Sequence, residues 1–321
     1  MKRREVIAGL GAAAAWPRPA RAQPAPMKRI GALVIGNADV PSFQKELREG
    51  LSELGRIEGR HYVIELRSAN GQLSRLAELA AELVRLKVDV IVALFTPCGL
   101  AAKEATRDIP IVILTGDPLG TGLVDSLSRP GGNVTGLSQM AAETHGKCLE
   151  LFRDMLPSAR RLAVMINAAD PLFATSLLKQ VRRAGSGTGV EIGPVLMIRG
   201  AEELETAFAA VATEKVDAVV LQASFPTSRM VELALANRLP AATGLRAFAE
   251  IGGLMSYNAD TRLLFRRAAT FVDKIWRGDK PADLPIEQPT KFELVINLKT
   301  AKAIGLELPE SFLLRADEVI E

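Results

Sequence analysis

Cysteine, histidine, tyrosine and tryptophan each occur only twice in the 321 residues. Two cysteines, Cys98 and Cys148, cannot build a disulfide framework. They read as buried free thiols, with a single bridge in an oxidising compartment as the alternative. His61 and His145 stand far apart, with no Cys, His or carboxylate at ligand spacing, which argues against a metal site. They read as surface or boundary residues, the first on a strand and the second just before a helix. No basic stretch is interleaved with aromatics, so nucleic-acid binding has no support. No apolar run reaches the roughly 20 residues that a membrane-spanning helix needs. The G-x-x-x-x-G-K-[ST] phosphate loop and the G-x-S-x-G nucleophile elbow are both missing. One dinucleotide-like pattern, Gly9-x-Gly11-x-x-Ala14, has no strand before it and so lacks the context that brings a pyrophosphate to a helix N-terminus. No cofactor is expected, and an enzyme would want for a nucleophile or an acid–base pair.

What the chain does contain begins with residues 1–22, read as an export signal. Lys2, Arg3 and Arg4 precede a mostly apolar stretch, and Ala20-Arg21-Ala22 has the A-x-A form of a cleavage site. The Arg3-Arg4 pair fits both the twin-arginine and the general secretory route. With this segment removed, a net +4 goes with it and the formal charge of the chain changes from +3 to −1. With 48% hydrophobic and 24% charged residues, the remainder has a soluble globular composition.

The chain is organised around residues 88–136. Two continuous runs, VDVIVALF from Val88 and IPIVIL from Ile109, each close in small polar residues and are separated by a helix-length segment. Such runs read as neighbouring buried parallel strands. Ligands of open α/β sheets bind outside the carboxyl ends of the strands, so Thr96-Pro97-Cys98 and Thr115-Gly116-Asp117 should share one rim of a cleft.

Earlier elements fit the same unit: a strand at 29–35, a helix at 43–54 closed by Gly55, a strand at 61–66, and a helix at 72–86 whose apolar stripe is Leu76, Leu79, Ala80 and Leu83. Strands alternating with helices of this length imply right-handed βαβ units and a mainly parallel sheet. The order then repeats. A strand at 161–166, a helix at 172–184, a strand at 190–197 and a helix with Leu204, Ala207, Phe208 and Val211 lead to a strand starting at Lys215; residues 76–87 and 204–215 match at an offset of 128. The fold class is therefore α/β, two similar Rossmann-like lobes with parallel sheets around an interlobe cleft. Residues 27–140 and 141–256 form the lobes. Residues 257–321, with a strong amphipathic helix at 263–276 and a strand at 292–296, form a crossover and capping tail shared between them.

Polar residues at strand ends are the candidate site. In the first lobe these are Asn37, Thr96, Thr115 and Asp117, and in the second Asn167 with Asp170, Ser224 and Thr243. Each taken singly reads as a helix cap or turn former. As a set facing one cleft, several can do both jobs: hydroxyls and backbone N–H groups at helix starts hold a carboxylate, and an Asp takes an ammonium. Phe225 and Tyr257 read as cleft aromatics or as core. The Pro130-Gly131-Gly132-Asn133 run reads as a tight turn.

These residues carry a resemblance. Thr96-Pro97 followed by Leu-Ala-Ala-Lys, the IPIVIL-TGDPLGTGLV run, LSRPGGNVTG, GGLMSY and PADLPIEQPTKFELVINLKTAKAIGLELP resemble the ABC transporter substrate-binding proteins of the TrpX-like group, over the whole chain after the signal. The resemblance implies the periplasmic binding protein type I fold, lobes that close like jaws on a small solute, and no chemistry on it. Implied partners are that small-molecule ligand, an amino acid or related carboxylate, and a membrane permease with its ATPase; the chain is expected to be a periplasmic monomer. Matching cleft positions are Thr96, Pro97, Thr115, Gly116, Asp117 and Asn167. The second lobe departs from the pattern. Gln222-Ala-Ser-Phe-Pro226 stands where relatives often have Asp-Pro with aromatics, and Thr243 where a Tyr often follows. A periplasmic sensor module is the alternative reading, and a secreted α/β enzyme a weaker one.

Overall fold

The computed structural model describes residues 27–36, 40–186 and 189–321. The expected export signal and Asn37 lie outside the described residues.

The first lobe is built on strands β1 (Lys28–Val34), β2 (Tyr62–Ser68), β3 (Val90–Leu94), β4 (Ile111–Thr115) and β5 (Val134–Ser138), covered by helices α1 (Val40–Glu53), α2 (Leu76–Arg85) and α3 (Phe95–Ala105). Its sheet runs in the order β2-β1-β3-β4-β5, every pair parallel. All residues of β3 and β4 are buried, as the centre of a sheet covered on both faces requires. The expected apolar stripe of α2 is the face it buries.

Helix α4 (Ala141–Met155) leads into the second lobe. There β6 (Arg161–Asn167), α5 (Pro171–Gly185), β7 (Glu191–Ile198), α6 (Leu204–Thr213), β8 (Ala218–Leu221), α7 (Thr227–Ala236), β9 (Ala241–Thr243), α8 (Arg246–Glu250) and β10 (Met255–Ala259) follow. The order β7-β6-β8-β9-β10 repeats that of the first sheet. The repeat reaches individual bonds. Lys87 and Lys215, each just past its helix, both take φ of 51°. Asp89 then accepts from the Arg29 N–H at 2.8 Å and Asp217 from the Arg161 N–H at 2.9 Å, each pinning the start of its lobe's first strand.

Residues after β10 are divided between the lobes. Helix α9 (Thr261–Trp276) starts on an Asp260 cap that accepts from the Arg262 and Leu263 N–H groups. It packs on α1 of the first lobe, where Phe43 meets Phe265 edge-on at 5.6 Å and Arg266 pairs with Glu46, Glu49 and Glu53. Strand β11 (Phe292–Asn297) then adds antiparallel to β10; helices α10 (Leu298–Ala303) and α11 (Glu310–Leu313) follow, and β12 (Glu318–Ile320) completes a seven-stranded second sheet. Strand β10 spans residue 256, so the sheet of the second lobe continues past the expected division.

The chain passes between the lobes three times: after β5, after β10 and before β11. The first and third passages are joined by bonds from Ser138 N–H to the Glu287 carbonyl and from Glu287 N–H to the Gly136 carbonyl. A recess of ≈ 440 Å³ opens along this seam, lined by Leu137, Ala259, Arg267 and Glu287 among others.

Two local readings change. The helix expected after His145 begins at Ala141, so His145 lies inside it and is 2% exposed, a core residue and not a surface one. His61 precedes β2 and its Nδ1 accepts from the Ile57 N–H. Cys98 and Cys148 are free and buried.

Candidate ligand-binding cleft

In the first lobe β3 runs into α3 without a loop, because Phe95 makes the turn at φ 69°. A bulky residue in the left-handed region stores roughly 1–3 kcal/mol, a strain that clusters at binding sites. It delivers Thr96, 3% exposed, and half-buried Pro97 to the first turn of α3. At the end of β4, Thr115 is fully buried and its hydroxyl has no hydrogen-bond partner. Its carbonyl accepts from the Gln139 N–H at 2.7 Å, and that of Gly116 from the Ala141 N–H at 2.9 Å. The β4 rim therefore meets the start of α4.

The next two residues reach the other lobe. A β-carbon on Gly116 would stand 2.6 Å from Cε2 of Phe173 in α5, so only glycine permits this approach. Asp117 accepts from the Gly120 N–H through Oδ1, a turn bond, while its Oδ2 accepts from the Ser176 hydroxyl of α5. Turn former and interlobe contact are one carboxylate. Glu143 in α4 has one carboxylate oxygen buried without a partner; burial first, then the charge of Asp117, holds its carboxyl above the usual range.

In the second lobe, Asn167 at the end of β6 has its polar groups committed. Its N–H donates to Gln222 Oε1, its Nδ2 to the Ser224 hydroxyl at 3.1 Å, and its Oδ1 accepts from the Ala169 N–H. Asp170 caps α5 by accepting from the Phe173 N–H, and burial raises its carboxyl. Thr243 mirrors Thr115: fully buried at the end of β9, with a hydroxyl that has no partner. Phe225 is 5% exposed and packs in the core with Phe208, Met230 and Phe248, so the core reading is the one its burial fits. Ser224 is exposed beside Asn167.

The structure thus brings Thr115, Gly116 and Asp117 against α4 and α5, and gathers Asn167 with Ser224. Sequence reasoning missed Phe173, Ser176, Glu143 and His145. For Phe173 and Ser176 a signal existed, since they are three apart in the first turns of a helix that follows a strand end and so share its cleft-facing side. Burial pushes the Cys148 thiol up to about 12 and raises Cys98 as well, leaving neither as a ready nucleophile. Among the described residues no group of three His, Cys, Asp or Glu could hold a metal.

Two α/β lobes of matching strand order, connected by three passages, have the periplasmic binding protein type I fold. The chain belongs to the ABC transporter substrate binding protein family, whose model matches residues 34–320. It is 26% identical over 292 residues to a tyrosine-binding protein of Clostridioides difficile (strain R20291), an alignment covering 87% of this chain and 81% of the relative. Among solved structures it is similar to a conserved domain protein from Vibrio cholerae (TM-score 0.85, 26% identity, 91% of this chain and 99% of that one). It is also similar to an ABC domain from Streptococcus pneumonia in complex with L-Trp (TM-score 0.83, 25% identity, 92% and 100%). The resemblance to the TrpX-like group carried by the tail motif therefore holds. The family is one of extracytoplasmic binders, and no helix among the described residues is long and apolar enough to cross a membrane.

Proposed function

We propose that this protein captures a small solute, an amino acid or related carboxylate, between its lobes and delivers it to the permease and ATPase of an ABC importer. It works as an exported periplasmic monomer without a cofactor, by closing about the three interlobe passages. Thr96, Thr115 and Gly116 of the first lobe offer hydroxyls and backbone N–H groups to the carboxylate, with Pro97 packed beside them, Asp117 takes the ammonium, and Asn167, Ser224 and Thr243 complete the second side.

One observation carries this reading. Six side-chain polar atoms among the described residues are buried without a hydrogen-bond partner, and five of them, on Thr115, Glu143, His145, Thr243 and Asn258, sit at strand ends or in the first turns of α4. Each such group costs about 1–3 kcal/mol unless something polar meets it. Grouped at strand ends and at the start of α4, they support the reading of a polar solute enclosed between the lobes. A thermal-shift screen of amino acids, short-chain acids and aromatic acids tests the proposal. A binding solute at about 100 times its Kd adds about 2.7 kcal/mol and raises Tm by about 5 °C or more. A panel that shifts nothing, with unchanged compactness in X-ray scattering, refutes it.

A further inference from the structure

We propose that His145 and Asn258 form a subsite around Gly244 that receives a hydroxyl or N–H donor of the bound solute, on a part of the molecule away from its carboxylate. The proposal rests on the reading of the chain as a binder of small carboxylates and adds which second-lobe residues select among them.

His145 belongs to the cleft by direct connection. Gly116 of the first-lobe rim accepts from the Ala141 N–H, and the Ala141 carbonyl lies 2.5 Å from His145 Nδ1. A carbonyl only accepts, so Nδ1 carries the proton and Nε2 of the neutral ring presents a lone pair. Burial keeps the ring neutral, outweighing the Ala141 and Leu221 carbonyls that lean the other way. Across from the ring, Asn258 donates through Nδ2 to the Gly244 carbonyl at 2.7 Å, which orients its amide and leaves Oδ1 as an acceptor. Neither Nε2 nor Oδ1 has a partner.

Gly244 leaves the room between them. A β-carbon there would stand 3.5 Å from Asn258 Nδ2, 3.6 Å from its Cγ and 3.7 Å from His145 Cε1, all ordinary contact distances. One heavy atom therefore fits there, against the Asn258 amide and the Cε1 edge of the His145 ring. A carboxylate brought to Nε2 or Oδ1 meets a lone pair and is repelled, whereas a hydroxyl or N–H is met by an acceptor. A site built to hydrogen-bond such a group rejects the analogue without it, because its own buried acceptors are then left unpaired.

Calorimetric titration with matched probes tests this: L-tyrosine against L-phenylalanine, which lacks the hydroxyl, and against 3-(4-hydroxyphenyl)propionate, which lacks the ammonium, with L-serine, L-alanine and 3-hydroxypropionate as the smaller set. In the wild type, L-tyrosine or L-serine binds about tenfold or more tighter than its hydroxyl-lacking partner, while the probes that lack the ammonium report on Asp117. His145→Leu reduces that ratio to about threefold or less. Gly244→Ala, whose methyl the fold accommodates, does the same without lowering the Tm of the free protein, so the test stands even if His145→Leu folds poorly. Equal binding of both partners in the wild type, or an unchanged ratio in Gly244→Ala, overturns the subsite while leaving the binding function intact. If no probe of either kind binds, the reading of the chain as a binder of amino acids and related carboxylates falls, and the subsite falls with it.

Discussion

Gly116→Ala isolates lobe closure from lobe folding. Gly116 does not use the left-handed region of backbone space, so its own lobe accepts alanine without strain. The obstacle is in the other lobe: the new methyl would stand 2.6 Å from Phe173 Cε2, 3.1 Å from its Cζ and 3.1 Å from Ala141 Cβ. Phe173 is 6% exposed and packs with Ala174, Leu177 and Ile166, so its ring has nowhere to turn. Overpacking of this kind costs about 1–3 kcal/mol, and under the proposed lobe closure the cost falls on the closed arrangement alone, which weakens solute binding by about 5- to 150-fold. Calorimetric Kd, X-ray scattering with and without solute, and the Tm of the free protein separate the terms: affinity falls, the free protein becomes no less compact within each lobe, and its Tm holds. Phe173→Leu in the same chain removes the ring edge and recovers part of the lost affinity. A Gly116→Ala protein with a lowered Tm and unchanged affinity would show that the contact belongs to folding and would sink the argument.

Other consequences follow from the same packing. Gly50 lets α1 lie on α9, since a β-carbon there would meet the Arg266 carbonyl at 2.6 Å and Ala269 Cβ at 2.9 Å; Gly50→Val lowers stability by about 1–3 kcal/mol, read as a shifted urea midpoint. Burial holds His145 below the usual imidazole range, so the unfolded chain takes up a proton near pH 6.5 that the folded chain refuses. That stability is full above pH 6.5 and is lost as pH falls, by up to about 1.4 kcal/mol per pH unit, and denaturation of His145→Gln between pH 7.5 and 5.5 should lack this component. Cys98 and Cys148 are fully buried with raised thiols, so a thiol reagent labels the native protein only at the rate of its opening, and a fast labelling phase contradicts the structure.

Much of the architecture could be read from residues alone because each lobe repeats a local pattern. The stripe Leu76, Leu79, Ala80, Leu83 and its echo Leu204, Ala207, Phe208, Val211 are the buried faces of α2 and α6, and the matched Lys87 and Lys215 share one backbone conformation. Strand ends were legible for the same reason: the buried Val and Ile runs of β3 and β4 stop just before Thr96 and at Thr115. Contacts without a local signature were not. Whether α9 docks on the first or the second lobe depends on the notch at Gly50 and on Phe43, more than two hundred residues earlier, while its own stripe suits any apolar face. Asp117 and Ser176 lie 59 residues apart, and neither neighbourhood announces the other. His145 was misplaced because α4 starts on Met140 in a left-handed conformation, with no capping side chain to mark the boundary.

The most direct test of the central claim is calorimetric titration of the best solute from the thermal-shift screen into the wild type, Thr115→Val and Asp117→Ala. Thr115 loses a buried hydroxyl that has no partner within the protein, and Asp117 loses the carboxylate that reaches both Gly120 and Ser176. Binding at the interlobe cleft predicts about tenfold or greater loss of affinity in both variants with the fold intact, one charge-assisted or buried hydrogen bond each. Unchanged affinity in both, with only the melting temperature lowered, would make these residues turn and cap formers and place the binding site elsewhere on the molecule.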